Sequence, residues 1–241
     1  MRPFRQELKF LVHYSVRELL LARWSRYLVQ APFTNHNAVT PILSQYYDSP
    51  ELTFYWEKLD GIALRNKVRM RTYGHNFKAG ETTFLEIKHR NHDLVRKYRY
   101  LYPNFDETLL DPALWNIEDE EMKSAFMTLL ERHRLRASAQ TYYQREAYEG
   151  LVEKDVRITF DTMLLGLYPH ERLSPTILHD QGRRLMADTL AILEVKSTKG
   201  FPPWVYDGVV AAELQQKTIP KYITAVEVLG LPEINAGGIY A

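Results

Sequence analysis

Hydrophobic and polar residues alternate along most of this chain, and alternation with a period of two is the mark of β-strands with unlike faces. Leu8 and Phe10 alternate with Glu7 and Lys9; Val68 and Met70 lie between Lys67, Arg69 and Arg71; Leu85 and Ile87 between Phe84, Glu86 and Lys88; Leu193 and Val195 flank Glu194 and precede Lys196. Strands are predicted at 6–14, 42–47, 63–73, 82–89, 94–102, 140–148, 157–162 and 190–197. Turn residues at 75–80 and 91–93 join 63–73, 82–89 and 94–102 into a meander.

Helical spacing takes over in five places. Ser15-Val16-Arg17-Glu18 reads as a capping box opening a helix to about Gln30 that buries Leu19, Leu20, Ala22, Leu28 and Val29. Asp48-Ser49-Pro50 offers a cap for a short helix carrying Leu52, Phe54 and Tyr55 and ending near Asp60-Gly61. Further helices are predicted at 118–132, 204–216 and 220–229, the last stopped by Gly230 and Pro232. Trp24, Trp56, Trp115 and Trp204 fall in helical contexts and read as packing anchors.

The charged strand faces change the picture. Glu7 with Lys9, Lys67 with Arg69 and Arg71, Glu86 with Lys88, Lys97 with Arg99, Arg145, Arg157 with Asp161, and Glu194 with Lys196 give seven polar rows. Each alone fits a solvent face. Helices that must also bury apolar stripes against the sheet turn the charged faces toward one another, and closure into a barrel with a charged lumen satisfies both demands. Two like charges about 5 Å apart repel by roughly 3 kcal/mol at an effective dielectric near 20, so such cation rows call for a polyanion. Glu7, Glu86 and Glu194 can pair with neighbouring lysines, and carboxylates beside phosphates also supply oxygen ligands for a divalent metal.

Composition narrows the class. The 241 residues are 45% hydrophobic and 25% charged, with 31 Lys and Arg against 30 Asp and Glu, so a net charge of +1 gives no global field and an anion site must be local. The absence of cysteine excludes disulfides, zinc thiolates and a catalytic thiol. No apolar run reaches membrane-spanning length, and the expected location is cytoplasmic. P-loop, dinucleotide and zincin signatures are missing. Basic and aromatic residues mix from Lys88 to Tyr100 as in a nucleic-acid stacking platform, but alternation splits them between two faces, and no nucleic-acid partner is expected. His89 and His92 read as exposed turn residues, not metal ligands.

The order and spacing of Arg5-Gln6-Glu7-Leu8-Lys9-Phe10, Ile42 to Pro50, Tyr55 to Gly61, Lys67 to Tyr73, Phe84 to Lys88, Val95 to Arg99, Val156 to Asp161 and Leu193 to Lys196 resemble the VTC domain, the polyphosphate polymerase branch of the CYTH-like triphosphate tunnel metalloenzyme superfamily. The resemblance covers nearly the whole chain. It implies an α+β fold, residues 1–241 as a single domain: a closed antiparallel eight-stranded β-barrel tunnel flanked by helices. It implies transfer of the ATP γ-phosphoryl group to a growing polyphosphate chain with Mn²⁺ or Mg²⁺. Lys9, Arg69, Arg71, Lys88, Lys97, Arg99, Arg145, Arg157 and Lys221 then correspond to phosphate-binding residues. Glu194 corresponds to the metal ligand, and Glu7, Glu86 and Lys196 are candidates to support nucleotide or metal binding. Arg5 stands where the wider superfamily has a glutamate, and Pro220 where the last helix commonly has a serine. Members with membrane segments imply a separate membrane-protein partner for this chain. The same residues also suit a triphosphatase, with water as nucleophile, or a polyphosphate-binding module without turnover.

Overall fold

The computed structural model describes residues 6–31, 39–92, 94–217 and 219–233; Arg5 and Asp93 lie outside them. The chain divides into two compact units. One comprises Met1–Pro41, Tyr143–Leu164 and Met186–Ile219, the other Ile42–Tyr142, Leu165–Leu185 and Pro220–Ala241. Among the described residues there are ten strands, and the described pairings between them are antiparallel. Eight form a continuous path in the order β1 (Gln6–His13), β10 (Leu190–Ser197), β8 (Arg157–Leu167), β7 (Arg136–Gly150), β3 (Thr40–Asp48), β4 (Leu64–Thr72), β5 (Thr83–Asn91) and β6 (Leu94–Tyr102). No described pairing joins β1 to β6, so the closure expected from the sequence is not among the observed pairings.

The first unit holds β1 (Gln6–His13), α1 (Tyr14–Trp24), β2 (Leu28–Gln30), β10 (Leu190–Ser197) and α4 (Pro203–Ala211), with the second half of β7 (Arg136–Gly150) and most of β8 (Arg157–Leu167). Register sets Leu8 against Val195 and Phe10 against Leu193, and alternation carries these side chains with Ile158 and Phe160 into one buried core. Leu20 and Trp24 of α1 and Trp204 and Val205 of α4 join it. Trp24 Nε1 donates to the Trp204 carbonyl at 2.9 Å, and Gly208 leaves the space its indole fills. The helix predicted to run to Gln30 stops at Trp24, because Leu28–Gln30 instead pair with Tyr148–Gly150 as β2. His13, not Ser15, is its N-cap.

The second unit holds β3 (Thr40–Asp48), α2 (Thr53–Leu59), β4 (Leu64–Thr72), β5 (Thr83–Asn91), β6 (Leu94–Tyr102), α3 (Glu120–His133), β9 (Arg183–Arg184) and α5 (Lys221–Val228), with the first half of β7 and the end of β8. Its sheet runs β7-β3-β4-β5-β6. Tyr47 meets Trp115 edge to face and Trp115 packs at a tilt on Phe126, with ring centroids 4.8 and 4.3 Å apart. Asp48 caps α2 from upstream: its carboxylate accepts from the amides of Phe54 at 2.8 Å and Tyr55 at 3.0 Å. Trp56 corrects an expectation, since its side chain points outward and is 45% exposed, whereas Trp24, Trp115 and Trp204 are buried. Among the described residues no helix is long and apolar enough to cross a membrane.

Candidate functional site

Each unit concentrates charge on one sheet face, and register explains how. In the second unit Tyr46 of β3 lies opposite Arg69 of β4, Arg69 opposite Glu86 of β5, and Glu86 opposite Arg99 of β6. Two residues along, Lys67, Lys88 and Lys97 form a parallel row of three lysines. Directly opposed like charges repel one another in a sheet.

Glu86 is the hub of the arginines. Arg69 grips its Oε2 through Nε at 2.7 Å and Nη2 at 2.6 Å, Arg99 Nε lies 3.5 Å from Oε1, and Arg71 Nη1 is 4.0 Å from Oε2. Burial pushes the Glu86 carboxyl up, but Arg69 and Arg71 outweigh it and hold the group below its ordinary range. Three guanidinium charges thus share one carboxylate. Arg71, almost fully buried, also donates from Nε to Ser44 Oγ at 3.1 Å. Arg99 rests over the Phe84 ring at 3.8 Å and donates to Tyr73 Oη at 3.1 Å. A cavity of about 150 Å³ adjoins the lysine row, lined by Lys58, Arg65, Lys67, Lys88 and Arg90 together with Phe54 and Tyr222. Lys221 opens α5, beside cavity residues Pro220 and Tyr222.

In the first unit the charges alternate in sign. Register sets Glu7 against Lys196 and Lys9 against Glu194. Lys9 Nζ lies 3.1 Å from both Glu7 Oε1 and Glu194 Oε1, while Lys196 bonds Glu194 Oε2 and lies 3.4 Å from Glu7 Oε1. Burial raises the Glu7 carboxyl, and Lys196 and Lys9 together bring it below its usual range. Lys9 moves the other way from the same contacts: burial lowers its ammonium, and Glu194 and Glu7 raise it above the ordinary lysine value.

β8 completes this face. Thr159 lies opposite Glu194 and Arg157 opposite Lys196, and Thr159 Oγ1 and Arg157 Nε are buried with no hydrogen-bond partner among the described residues. Buried polar atoms without partners cost free energy unless something else meets them. Arg145 differs from the others, because Asp161, fully buried, takes its Nε at 2.5 Å and Nη2 at 2.7 Å in a bidentate pair. One edge of that guanidinium is therefore committed within the protein.

The residues predicted from sequence divide between the units. Arg69, Arg71, Lys88, Lys97, Arg99, Glu86 and Lys221 belong to one, and Lys9, Arg145, Arg157, Glu7, Lys196 and Glu194 to the other. Sequence reasoning missed Tyr46, Ser44 and Thr159, and gave Asp161 no role. Period two from Asp48 would have placed Tyr46 and Ser44 on the charged face, and the row that already joined Arg157 to Asp161 passes through Thr159. His89 is half-buried, and its Nδ1 meets Asn66 Oδ1 at 2.7 Å, while His92 is exposed.

No three His, Cys, Asp or Glu side chains cluster among the described residues as a self-sufficient metal site. One buried glutamate, a second carboxylate and an unmet hydroxyl suit a cation that takes its remaining ligands from phosphate and water, as Mg²⁺ commonly does. Glu194, Glu7 and Thr159 fit that donor set.

Comparisons with known proteins bear on this arrangement. Subunit 4 of the vacuolar transporter chaperone complex of Trypanosoma brucei brucei is 24% identical over 251 aligned residues, which cover 83% of this chain and 31% of that protein. The chain thus spans about a third of the length of this relative. The fold is shared with a Bacillus halodurans protein described as a "putative adenylate cyclase", at a TM-score of 0.54 and 9% identity over 89% of this chain and 94% of that one. The profile of the VTC domain matches residues 4–230. The charged strand rows and this match agree, and the chain belongs to the VTC domain family.

Proposed function

We propose that this chain is a metal-dependent phosphotransferase that moves the γ-phosphoryl group of ATP onto the end of a polyphosphate chain, the whole of residues 1–241 acting as one domain. The observation that carries the reading is the excess of cation on one sheet face, where three arginines share Glu86 beside a row of three lysines. Guanidinium and ammonium groups at that density suit a ligand with a negative charge on every repeating unit. Closure of the strand path into a tunnel, implied by the family, belongs to the same proposal.

Phosphoryl transfer asks the protein mainly for alignment and charge neutralisation. Arg69, Arg71, Arg99, Lys88, Lys97 and Lys221 are assigned to phosphate on the face of the second unit, and Lys9 and Arg157 to phosphate on the face of the first. Arg145 acts through its free edge while Asp161 fixes its orientation. Bound Mn²⁺ or Mg²⁺ would neutralise charge on the phosphate oxygens, held by Glu194 with Glu7 and Thr159 at hand. An oxygen of the chain end attacks the γ-phosphorus in line. One P–O bond forms as the bond to the departing ADP breaks, and no covalent enzyme intermediate is needed.

Incubation with γ-labelled ATP and Mn²⁺, with and without pyrophosphate as primer, tests this directly. Label in long chains with release of ADP is expected. Label only in orthophosphate would replace the reading with a triphosphatase, and tight polyphosphate binding without turnover would replace it with a binding module. A membrane-protein partner that receives the polymer is part of the proposal, since the named relative is a subunit of a complex.

A further inference from the structure

Tyr46 stands out among the residues on the arginine face. It is 2% exposed, lies opposite Arg69 and shares the sheet face of Arg69, Arg71 and Glu86. Arg69 Nη1 reaches its hydroxyl oxygen at 3.5 Å, and Lys67 Nζ stands 5.6 Å from its ring centroid. Tyr222 of α5 packs on the ring at 4.9 Å, but its hydroxyl is spent on Asp48 at 2.7 Å. From β7, Ser138 donates to the Tyr46 carbonyl, not to the phenol. From β5, Glu86 is engaged by the arginines, and Lys88 lies opposite Lys67. Apolar packing alone would be served equally by phenylalanine. A phenol oxygen set among cations on the proposed phosphate face is a different matter, because it can carry a charge that offsets theirs. Burial pushes the phenol up, yet Arg69, Lys67 and Arg71 outweigh burial and bring it down to about 7.

We propose that Tyr46 is a phosphate-contacting residue whose proton follows the ligand: without anion its oxygen is ionised and balances the neighbouring cations, and with anion it takes one proton from solvent and donates O–H to a phosphate oxygen. No bond to phosphorus is made or broken in this step. The inference rests on the phosphate reading of this face and names the group that couples binding to pH. Ionised and protonated forms differ in sign toward an anion, so affinity holds steady at low pH and falls about tenfold per pH unit once the phenol is ionised in the free protein.

The test uses the full chain, its Tyr46→Phe and Arg69→Met variants, and inorganic tripolyphosphate as probe. Ultraviolet difference spectra should show one tyrosinate titrating near neutral pH in the unliganded protein, well below the ordinary tyrosine value of about 10. That signal should vanish in Tyr46→Phe, shift upward in Arg69→Met, and collapse when tripolyphosphate is added. Calorimetry in buffers of different ionisation enthalpy should show one extra proton taken up on binding by the parent chain relative to Tyr46→Phe. No tyrosinate below about pH 9, or equal proton uptake in both proteins, overturns the assignment. Tripolyphosphate that fails to bind while the tyrosinate titrates near neutrality would instead overturn the phosphate reading, so the two failures are distinct.

Discussion

Glu194 and Glu86 are both carboxylates ringed by cations, but the proposal gives them different work. Glu194→Gln keeps the shape and removes the charge assigned to the metal. It should lower Mn²⁺-dependent turnover on the order of 100-fold, read by initial rates across metal concentrations, and also lower the unfolding temperature in a thermal melt, because Lys9 and Lys196 lose a buried ion-pair partner. Glu86 makes a pH prediction. Its carboxyl is held below the unfolded value, so the folded protein binds fewer protons than the unfolded chain in that interval. Its contribution to stability is full above the unfolded carboxylate range and is lost as pH falls through the folded value. Urea unfolding from about pH 6 down to 3 should show a shallower loss of stability in Glu86→Gln than in the parent chain.

At the scale of elements, α1 and α4 are fitted to each other through one glycine. A Cβ on Gly208 would stand 2.4 Å from Trp24 Nε1 and 2.6 Å from two ring carbons, and Trp24 is fully buried with its N–H committed to Trp204. Gly208→Ala should therefore destabilise the chain by about 1–3 kcal/mol despite the better helix propensity of alanine, measurable as a lowered urea midpoint with unchanged slope. Elements were also where sequence reading met its limits. Alternation located most of the eight path strands because their two faces differ in charge, whereas β3 was read from its run of apolar and aromatic residues. It failed at Leu28 and Val29, whose apolar spacing continues that of α1 while their backbone pairs with Glu149 and Gly150. It also ended β8 near Thr162, whereas the strand continues to Leu167 past Met163, a residue at φ +49°. Long-range pairing decided both cases, and no local window contains it.

Across the whole molecule, charge is nearly balanced, with 31 cationic and 30 anionic side chains, so phosphate affinity has to come from local surplus. Tripolyphosphate binding should then weaken steeply between about 0.05 and 0.5 M salt, as the Debye length contracts, while the unfolding midpoint moves little. Equal salt sensitivity of binding and stability would mean that the same ion pairs serve both. The cation rows were legible in the sequence because each strand declares its own polar face. Partner choice was not: Arg145 and Arg157 look alike as residues, yet one is clasped by Asp161 and the other keeps a buried Nε unmet. Tyr46 was hidden for a related reason, since an aromatic in an apolar strand reads as core until its neighbours across the sheet are known.

The pairing of β1 with β10 has a consequence for synthesis of the chain. Leu8 and Phe10 meet Val195 and Leu193, so β1 leaves the ribosome long before its partner, which lies far along the chain. At about 5–20 residues per second, β1 waits roughly ten to forty seconds with its apolar face and backbone edge unpaired. Folding of the first unit is thereby tied to the synthesis of β10, and nascent chains halted before β10 should be the ones that engage chaperones or aggregate.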